Sequence, residues 1–354
     1  MGDNVARQAG SRSEQHVNID KRPAEPSRKR PLDDRDDRTP PETPAPPTKY
    51  LKPSPAVAKD DLSARVVAQH YNARPEVGRE KRKDSPILQL KNFNNWVKSV
   101  LINKYTRRGD NVLDFCCGKG GDLLKWSKAN INHLVGVDIA DVSIEQAQQR
   151  FAQGRGSRFQ AKFFAADCFT ERIVDRLPRP DHVFDLVNCQ FAFHYSFETE
   201  EKVRMGLKNI TGNLRPGGMF IGTIPNAYWL VRKVEAAEGL EFGNSILKIK
   251  FETKRPYKEF GHKYWFELKD AIDDCPEYLV NFRTFERLAS EYGLELVYKK
   301  PLHELYEEES RDPQYKELLY RMNVVNDQGT MSADEWESTG LYMAFAFRKR
   351  DGRK

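Results

Sequence analysis

Three aspartates stand at the ends of successive apolar segments: Asp114 in Asn111-Val-Leu-Asp-Phe115, Asp138 closing His133-Leu-Val-Gly-Val-Asp138, and Asp167 after Phe159–Ala165. Between the first two lies the glycine-rich turn Asp114-Phe-Cys-Cys-Gly-Lys-Gly-Gly-Asp122. Such a turn between a strand and a helix lets a ligand approach the backbone at the carboxyl end of a parallel sheet. Asp138 is placed to accept both hydroxyls of an adenosine ribose, and Asp167 to accept from an adenine amino group. Lys119 is followed by glycine rather than by the Ser or Thr that would hold magnesium, and the spacing is not GxGxxG, so neither a phosphate loop nor a dinucleotide turn is spelled out. A nucleoside without a pyrophosphate fits better than NAD. S-adenosylmethionine has no pyrophosphate, and its sulfonium and ammonium suit an acidic pocket.

The elements that must position these residues follow from periodicity. Phe93, Trp96, Val97, Val100 and Leu101 recur at helical spacing. The strand at Asn111–Phe115 leads into a helix from about Asp122 to Ala129, then the strand His133–Asp138. Asp141 and Ser143 offer caps for a helix over Ile144–Phe151. Strands are expected at Phe159–Ala165, Phe184–Asn188 and, after the turn Arg215-Pro-Gly-Gly218, Met219–Ile224, with a helix over Glu198–Asn213. Residues 226–277, with aromatic runs such as Tyr264-Trp-Phe266, break the alternation and read as an insertion. A helix near Phe282–Tyr292, a strand at Leu294–Tyr298, a polar and partly helical stretch over Pro301–Glu337 and a last strand at Tyr342–Phe347 complete the chain. Alternation of this kind predicts a mostly parallel sheet with helices on both faces.

Residues 1–86 have a different texture. They hold 12 of the 20 prolines, two aromatics, and 18 Lys/Arg against 14 Asp/Glu. Such a segment buries too little apolar surface to offset its ordering entropy and is expected to be a disordered tail. Its cluster Lys21-Arg22 and Arg28-Lys29-Arg30-Pro31 reads as a nuclear localisation signal or an RNA-attracting patch. The remainder is nearly charge-balanced, with 40 Lys/Arg against 38 Asp/Glu, so nucleic-acid contacts there need a local patch. No run of eighteen apolar residues and no apolar leader occurs, so no membrane association is expected. Five cysteines without CxxC or Cys/His spacing suggest buried reduced thiols and no metal.

Asp114–Trp126 resembles the first motif of eukaryotic, fungal-like mRNA cap guanine-N7 methyltransferases. So do Phe93-Asn-Asn-Trp-Val-Lys98, Cys189-Gln-Phe-Ala-Phe-His-Tyr-Ser-Phe-Glu198, Phe220-Ile-Gly-Thr-Ile-Pro-Asn226 and Pro276-Glu-Tyr-Leu-Val280. The likeness covers residues 86–348. It implies an α/β, Rossmann-like class I methyltransferase domain over residues 87–350, with a mostly parallel seven-stranded sheet and an α/β insertion after strand 5. It implies S-adenosylmethionine contacts at Lys98, Cys116, Asp138, Asp167, Gln190 and Tyr195, and cap contacts at Asn94, Asn95, Lys119, Lys125, Arg150, His194, Glu277 and Tyr342. It also implies the nucleus as location and capped RNA as partner, with other capping enzymes or RNA polymerase II as further candidates. In one departure, family members usually carry glycine where this chain has Cys116. If that position needs positive φ, a side chain strains it.

The implied chemistry constrains the residues in turn. Guanine N7 has a lone pair and no proton, so methylation is an in-line displacement that needs no general base, and no catalytic acid or base is expected. Positioning and electrostatics remain. Recognition through O6 and N7 would block the reacting atom. A carboxylate accepting from the N1–H and amino group avoids this, and Glu277 is the candidate. Lys119, Lys125 and Arg150 suit the triphosphate bridge. A class I methyltransferase for another substrate and an inactive RNA-binding scaffold remain alternatives.

Overall fold

The computed structural model describes residues 62–72, 84–154, 159–177, 179 and 181–351. All lie in one compact unit, Ala58–Lys354. The basic cluster at Lys21–Pro31 and most of the expected tail lie outside the described residues.

The strands β1 (Asn111–Phe115), β2 (His133–Asp138), β3 (Gln160–Ala165), β4 (Phe184–Gln190) and β5 (Leu214–Pro225) run parallel to one another. β1, β2 and β4 are buried along nearly their whole length, as strands covered on both faces are, whereas the edge strand β3 is half exposed. Of the remaining strands, β11 (Tyr342–Lys349) pairs antiparallel with β5 and with β10 (Leu294–Pro301). The seven-stranded order is β10-β11-β5-β4-β1-β2-β3. The chain leaves β1 in one direction for β2 and β3, then returns to the other side for β4. The gap between the carboxyl ends of β1 and β4 is therefore a topological switch point, where open α/β sheets bind ligands.

Alternate residues of each strand enter opposite cores. On one face Val112, Leu186, Ile221, Ala344 and Ala346 meet the helix α2 (Leu88–Tyr105) through Phe93, Trp96, Val97 and Val100. On the other, Leu113, Val187, Phe220 and Phe345 meet α5 (Glu200–Gly212) and α7 (Phe282–Glu291) through Val203, Leu207, Phe285 and Leu288.

Several boundaries differ from the sequence expectation for local reasons. A helix, α1 (Leu62–Asn72), forms inside the stretch read as tail, with Val67 buried. The third and fourth helices are α3 (Leu123–Ala129) and α4 (Asp141–Gln153). Asp141 and Ser143 are residues of α4 rather than its caps: the cap position is Ala140, and Asp141 favours the first turn by charge. Before α5 the chain makes a 3₁₀ turn, Phe193–Glu198, because Thr199 caps the helix by accepting from Lys202 N. β5 begins already at Leu214, and the four residues Arg215–Gly218 bulge out between its pairings with β4.

After β5 come α6 (Ala227–Ala236) and a separate antiparallel sheet in the order β6 (Glu241–Gly243), β7 (Leu247–Phe251), β8 (Lys263–Leu268), β9 (Ile272–Tyr278). β7 alternates buried Leu247, Ile249 and Phe251 with exposed lysines, the pattern of a sheet with one wet face. The polar stretch after β10 forms α8 (Leu302–Glu309) and α9 (Pro313–Arg321), which contribute Leu302, Leu305 and Leu319 to the α2 core, and α10 (Ala333–Thr339), which packs Trp336 against it.

Candidate active site

A cavity of about 520 Å³ opens at the switch point, within the ~300–1,000 Å³ range of small-ligand sites. All six residues expected to touch a nucleoside cofactor line it: Lys98, Cys116, Asp138, Asp167, Gln190 and Tyr195. Each comes from a different element. Asp138 closes β2, Gln190 closes β4, Cys116 follows β1, Asp167 lies two residues past β3, Lys98 projects from α2, and Tyr195 sits in the 3₁₀ turn.

Asp138 ties the site together. Its Oδ2 accepts from Gly118 N at 2.7 Å and its Oδ1 from Ala140 N at 2.9 Å. The carboxylate thereby stitches the glycine turn to the start of α4, while each oxygen keeps a lone pair for a ligand. Burial pushes the Asp138 carboxyl up, opposed by these backbone donors. Asp167 accepts from Phe169 N at 2.9 Å.

The glycine turn does carry positive φ, at Gly118 (51°), Gly120 (68°) and also Cys116 (60°). Glycine takes this conformation freely, whereas a side chain costs about 1 kcal/mol. Cys116→Val should therefore destabilise the fold by about 2 kcal/mol, since a β-branched residue is a steric outlier there, while Cys116→Gly should stay within about 1 kcal/mol of the parent. Denaturant melts of both variants check this; equal stability of Val and Gly would contradict it. Phe191, next to Gln190, is similarly left-handed at φ 59°. Strain of this kind gathers at ligand sites.

Beneath the turn lies a buried charge cluster. Lys98 and Lys125 both reach Asp122 Oδ1, at 2.8 Å and 2.9 Å. Burial works to raise the Asp122 carboxyl, but the two ammonium groups hold it below the usual carboxylate range. Asp114 is the opposite case: burial, then the neighbouring Asp122 charge, pushes its carboxyl up to about 7 against hydrogen bonds from Asn188 and Trp126.

The eight residues expected to touch the acceptor divide. Asn95, Lys119 and Arg150 share the cavity wall. Lys125 lies behind it, donating to Asn95 Oδ1 at 3.1 Å as well as pairing with Asp122. Asn94 has a buried Oδ1 that no group bonds among the described residues. His194 and Glu277 belong to a second polar cluster off the wall, 1% and 2% exposed. Their closest atoms, Nε2 and Oε1, are 3.3 Å apart but not aligned as a hydrogen bond. Tyr264, opposite Glu277 across β8 and β9, donates its hydroxyl to Glu277 Oε2 at 2.6 Å. Tyr342 starts β11 and packs edge-on against Phe191, with ring centres 4.8 Å apart. The two clusters touch through consecutive residues: Tyr195 lines the cavity beside His194, and Pro276 and Tyr278 line it on either side of Glu277.

Sequence reasoning passed over Tyr264, Asp122 and Asn188. Asp122 was visible inside the quoted motif, and Tyr264 shares strand parity with buried Phe266. Asn188 sent no local signal.

Residues 56–350 match the model of the mRNA (guanine-N(7))-methyltransferase domain. The mRNA cap guanine-N(7) methyltransferase of Cryptococcus neoformans var. neoformans serotype D (strain B-3501A) is 49% identical over 290 residues, 80% of this chain and 41% of that protein. The mRNA cap guanine-N(7) methyltransferase 1 of Arabidopsis thaliana is 46% identical over 304 residues, 81% of this chain and 82% of that protein. The Schizosaccharomyces pombe enzyme is 45% identical over 296 residues, 80% of this chain and 82% of that protein. The chain thus spans less than half of the Cryptococcus protein and about four fifths of the other two. A domain match over nearly all the described residues, with this identity, means that the chain belongs to the mRNA (guanine-N(7))-methyltransferase family.

Proposed function

We propose that this chain transfers the methyl group of S-adenosylmethionine to N7 of the guanosine cap of mRNA. The observation that carries this reading is the junction of two sites: a cavity ringed by carboxylates, and a buried carboxylate, Glu277, reached through the neighbouring residues His194 and Tyr195. When bound, S-adenosylmethionine supplies an electrophilic methyl on a sulfonium. Its fit is supported by the acidic wall, which offers acceptors for a ribose and an amino group and carries Lys98 for a carboxylate.

Asp138 holds the ribose hydroxyls and Asp167 the adenine amino group. Cys116 lends its backbone to the wall and Tyr195 its ring. Lys98, anchored by Asp122, and Gln190 hold the amino-acid end, with Asp114 facing its ammonium. Glu277 accepts from the Watson–Crick edge of guanine, leaving N7 open. Tyr264 holds that carboxylate in place, and His194 and Tyr342 frame the base. Asn94, Asn95, Lys119, Lys125 and Arg150 follow the phosphates. No residue takes a proton from N7, because N7 has none. The protein's contribution is alignment and a water-poor, preorganised field.

Action on nascent transcripts puts the enzyme in the nucleus, where other capping enzymes or RNA polymerase II are fitting partners. The reading is tested by calorimetry with S-adenosylmethionine and by competition of the methylation reaction with GpppG and ApppA. Donor heat and competition by GpppG alone support it; absence of donor heat speaks for an inactive scaffold, and indifference to both dinucleotides for another substrate.

One pH dependence follows. The ionised form of Asp114 attracts the donor's cation and the neutral form does not. With its carboxyl raised to about 7, the ionised fraction grows as pH rises, so donor affinity should increase about tenfold between pH 6 and pH 8. A flat calorimetric profile across that range would contradict the placement of Asp114.

A further inference from the structure

Four side chains at the carboxyl ends of β5, β4 and β1 form one continuous hydrogen-bonded chain. The Thr223 hydroxyl donates to Gln190 Oε1 at 3.0 Å, Gln190 Nε2 to Asn188 Oδ1 at 2.7 Å, and Asn188 Nδ2 to Asp114 Oδ1 at 2.7 Å. Trp126 Nε1 donates to the other Asp114 oxygen at 3.2 Å. The chain follows the sheet register. Thr223 lies directly opposite Gln190, Asn188 directly opposite Asp114, and Asn188 and Gln190 are two apart on one face of β4.

The directions are locked. A flipped Asn188 amide would aim its NH₂ at the Gln190 NH₂ and its oxygen at the carboxylate, losing both bonds at once. Gln190 and Asp114 line the cavity, whereas Asn188 and Thr223 are fully buried behind it. A buried amide in the middle of a sheet costs about 1–3 kcal/mol unless it is paired. An aliphatic side chain would fill the site beside Leu186 and Ile221 without that cost.

We propose that Asn188 is a positioning residue for donor binding, holding the Asp114 carboxylate and the Gln190 carboxamide so that both face the donor's amino-acid end. Thr223 holds the far end of the chain: its hydroxyl accepts from Phe191 N at 3.0 Å and donates to Gln190 Oε1. The inference rests on the reading that this cavity takes S-adenosylmethionine.

Besides Asn188 and Trp126, the groups that face Asp114 are the Asp122 carboxylate, the Lys98 and Lys125 ammonium groups and the Cys117 thiol. Of these neighbours, Asn188 is the nearest donor and favours the ionised form. Its loss should move the pH profile of donor binding, which a general loss of packing would not.

The test uses calorimetry on the full chain with S-adenosylmethionine at pH 6 to 9, and separately with GpppG. Asn188→Leu should bind the donor about tenfold more weakly, with the midpoint of the pH profile raised by about one unit and GpppG affinity kept within about twofold. Thr223→Val, which spares Asp114, should weaken donor binding about threefold with no movement of the midpoint. A folded Asn188→Leu protein with parental donor affinity and midpoint overturns the proposal, as does an equal loss of donor and GpppG binding. If Asn188→Leu fails to fold, Thr223→Val decides: parental donor affinity there overturns the proposal. Absence of donor binding in the parent chain would instead sink the proposed function itself.

Discussion

Asp138→Ala should lower kcat/KM for S-adenosylmethionine by about 10²–10³-fold. On the proposed reading both Asp138 carboxylate oxygens accept from the donor's ribose, and each charge-assisted hydrogen bond is worth about 1.5–3 kcal/mol. The same carboxylate fixes the glycine turn through Gly118 and the start of α4 through Ala140. Losing it therefore removes the ligand bonds and relaxes the backbone that borders the site. The effect should fall on KM for the donor, with KM for capped RNA nearly unchanged. Steady-state kinetics in both substrates separates the two, and an unchanged donor KM would show that Asp138 does not hold the ribose.

The second large effect is expected at Glu277. Glu277→Gln should lower kcat/KM for guanosine-capped RNA by about 10²-fold and shrink the preference for guanosine over inosine caps. An amide oxygen still accepts, from Tyr264 and from one guanine donor. The amide nitrogen, however, meets the second guanine donor head-on, and an unmatched polar pair in a buried site costs about 1–3 kcal/mol. Inosine lacks the guanine amino group, so discrimination between the two caps reads this contact directly. Glu277 is 2% exposed and hydrogen-bonded by Tyr264, so a melt is needed alongside; the isosteric amide should keep the fold. If the two caps are distinguished as well as before, Glu277 does not read the base.

Much of the cavity wall was legible in sequence because it is built at strand ends. Strand ends follow from apolar runs, and an aspartate closing such a run has one place to be. The positions of Asp138 and Asp167 at the cavity needed only that logic, whereas Lys98, Cys116, Gln190 and Tyr195 follow from the family resemblance alone. The second cluster, around His194 and Glu277, was less legible because its contacts depend on cross-strand register. Glu277 meets Tyr264 only because β8 and β9 pair in a particular frame, and no local pattern encodes that pairing. Lys125 looked like an exposed helix charge, yet the fold turns it inward onto Asp122. Asn188 is the extreme case: its partners lie 74 residues away in Asp114 and two away in Gln190, and in sequence it is one polar residue within an apolar strand. The helix α1 was hidden for a different reason. Its eleven residues sit between proline-rich and charged stretches whose average composition masks a short amphipathic segment.

On the proposed reading donor and acceptor meet at one atom, and a product analysis tests that most directly. The full chain is incubated with S-adenosylmethionine carrying a radiolabelled methyl and with GpppG-capped RNA, and the RNA is digested to free caps. The account predicts that all label appears in N7-methylated guanosine of the cap, with none transferred to ApppG-capped RNA. A folded protein that binds the donor yet leaves the cap guanine unlabelled, or places the label in the body of the RNA, would contradict it.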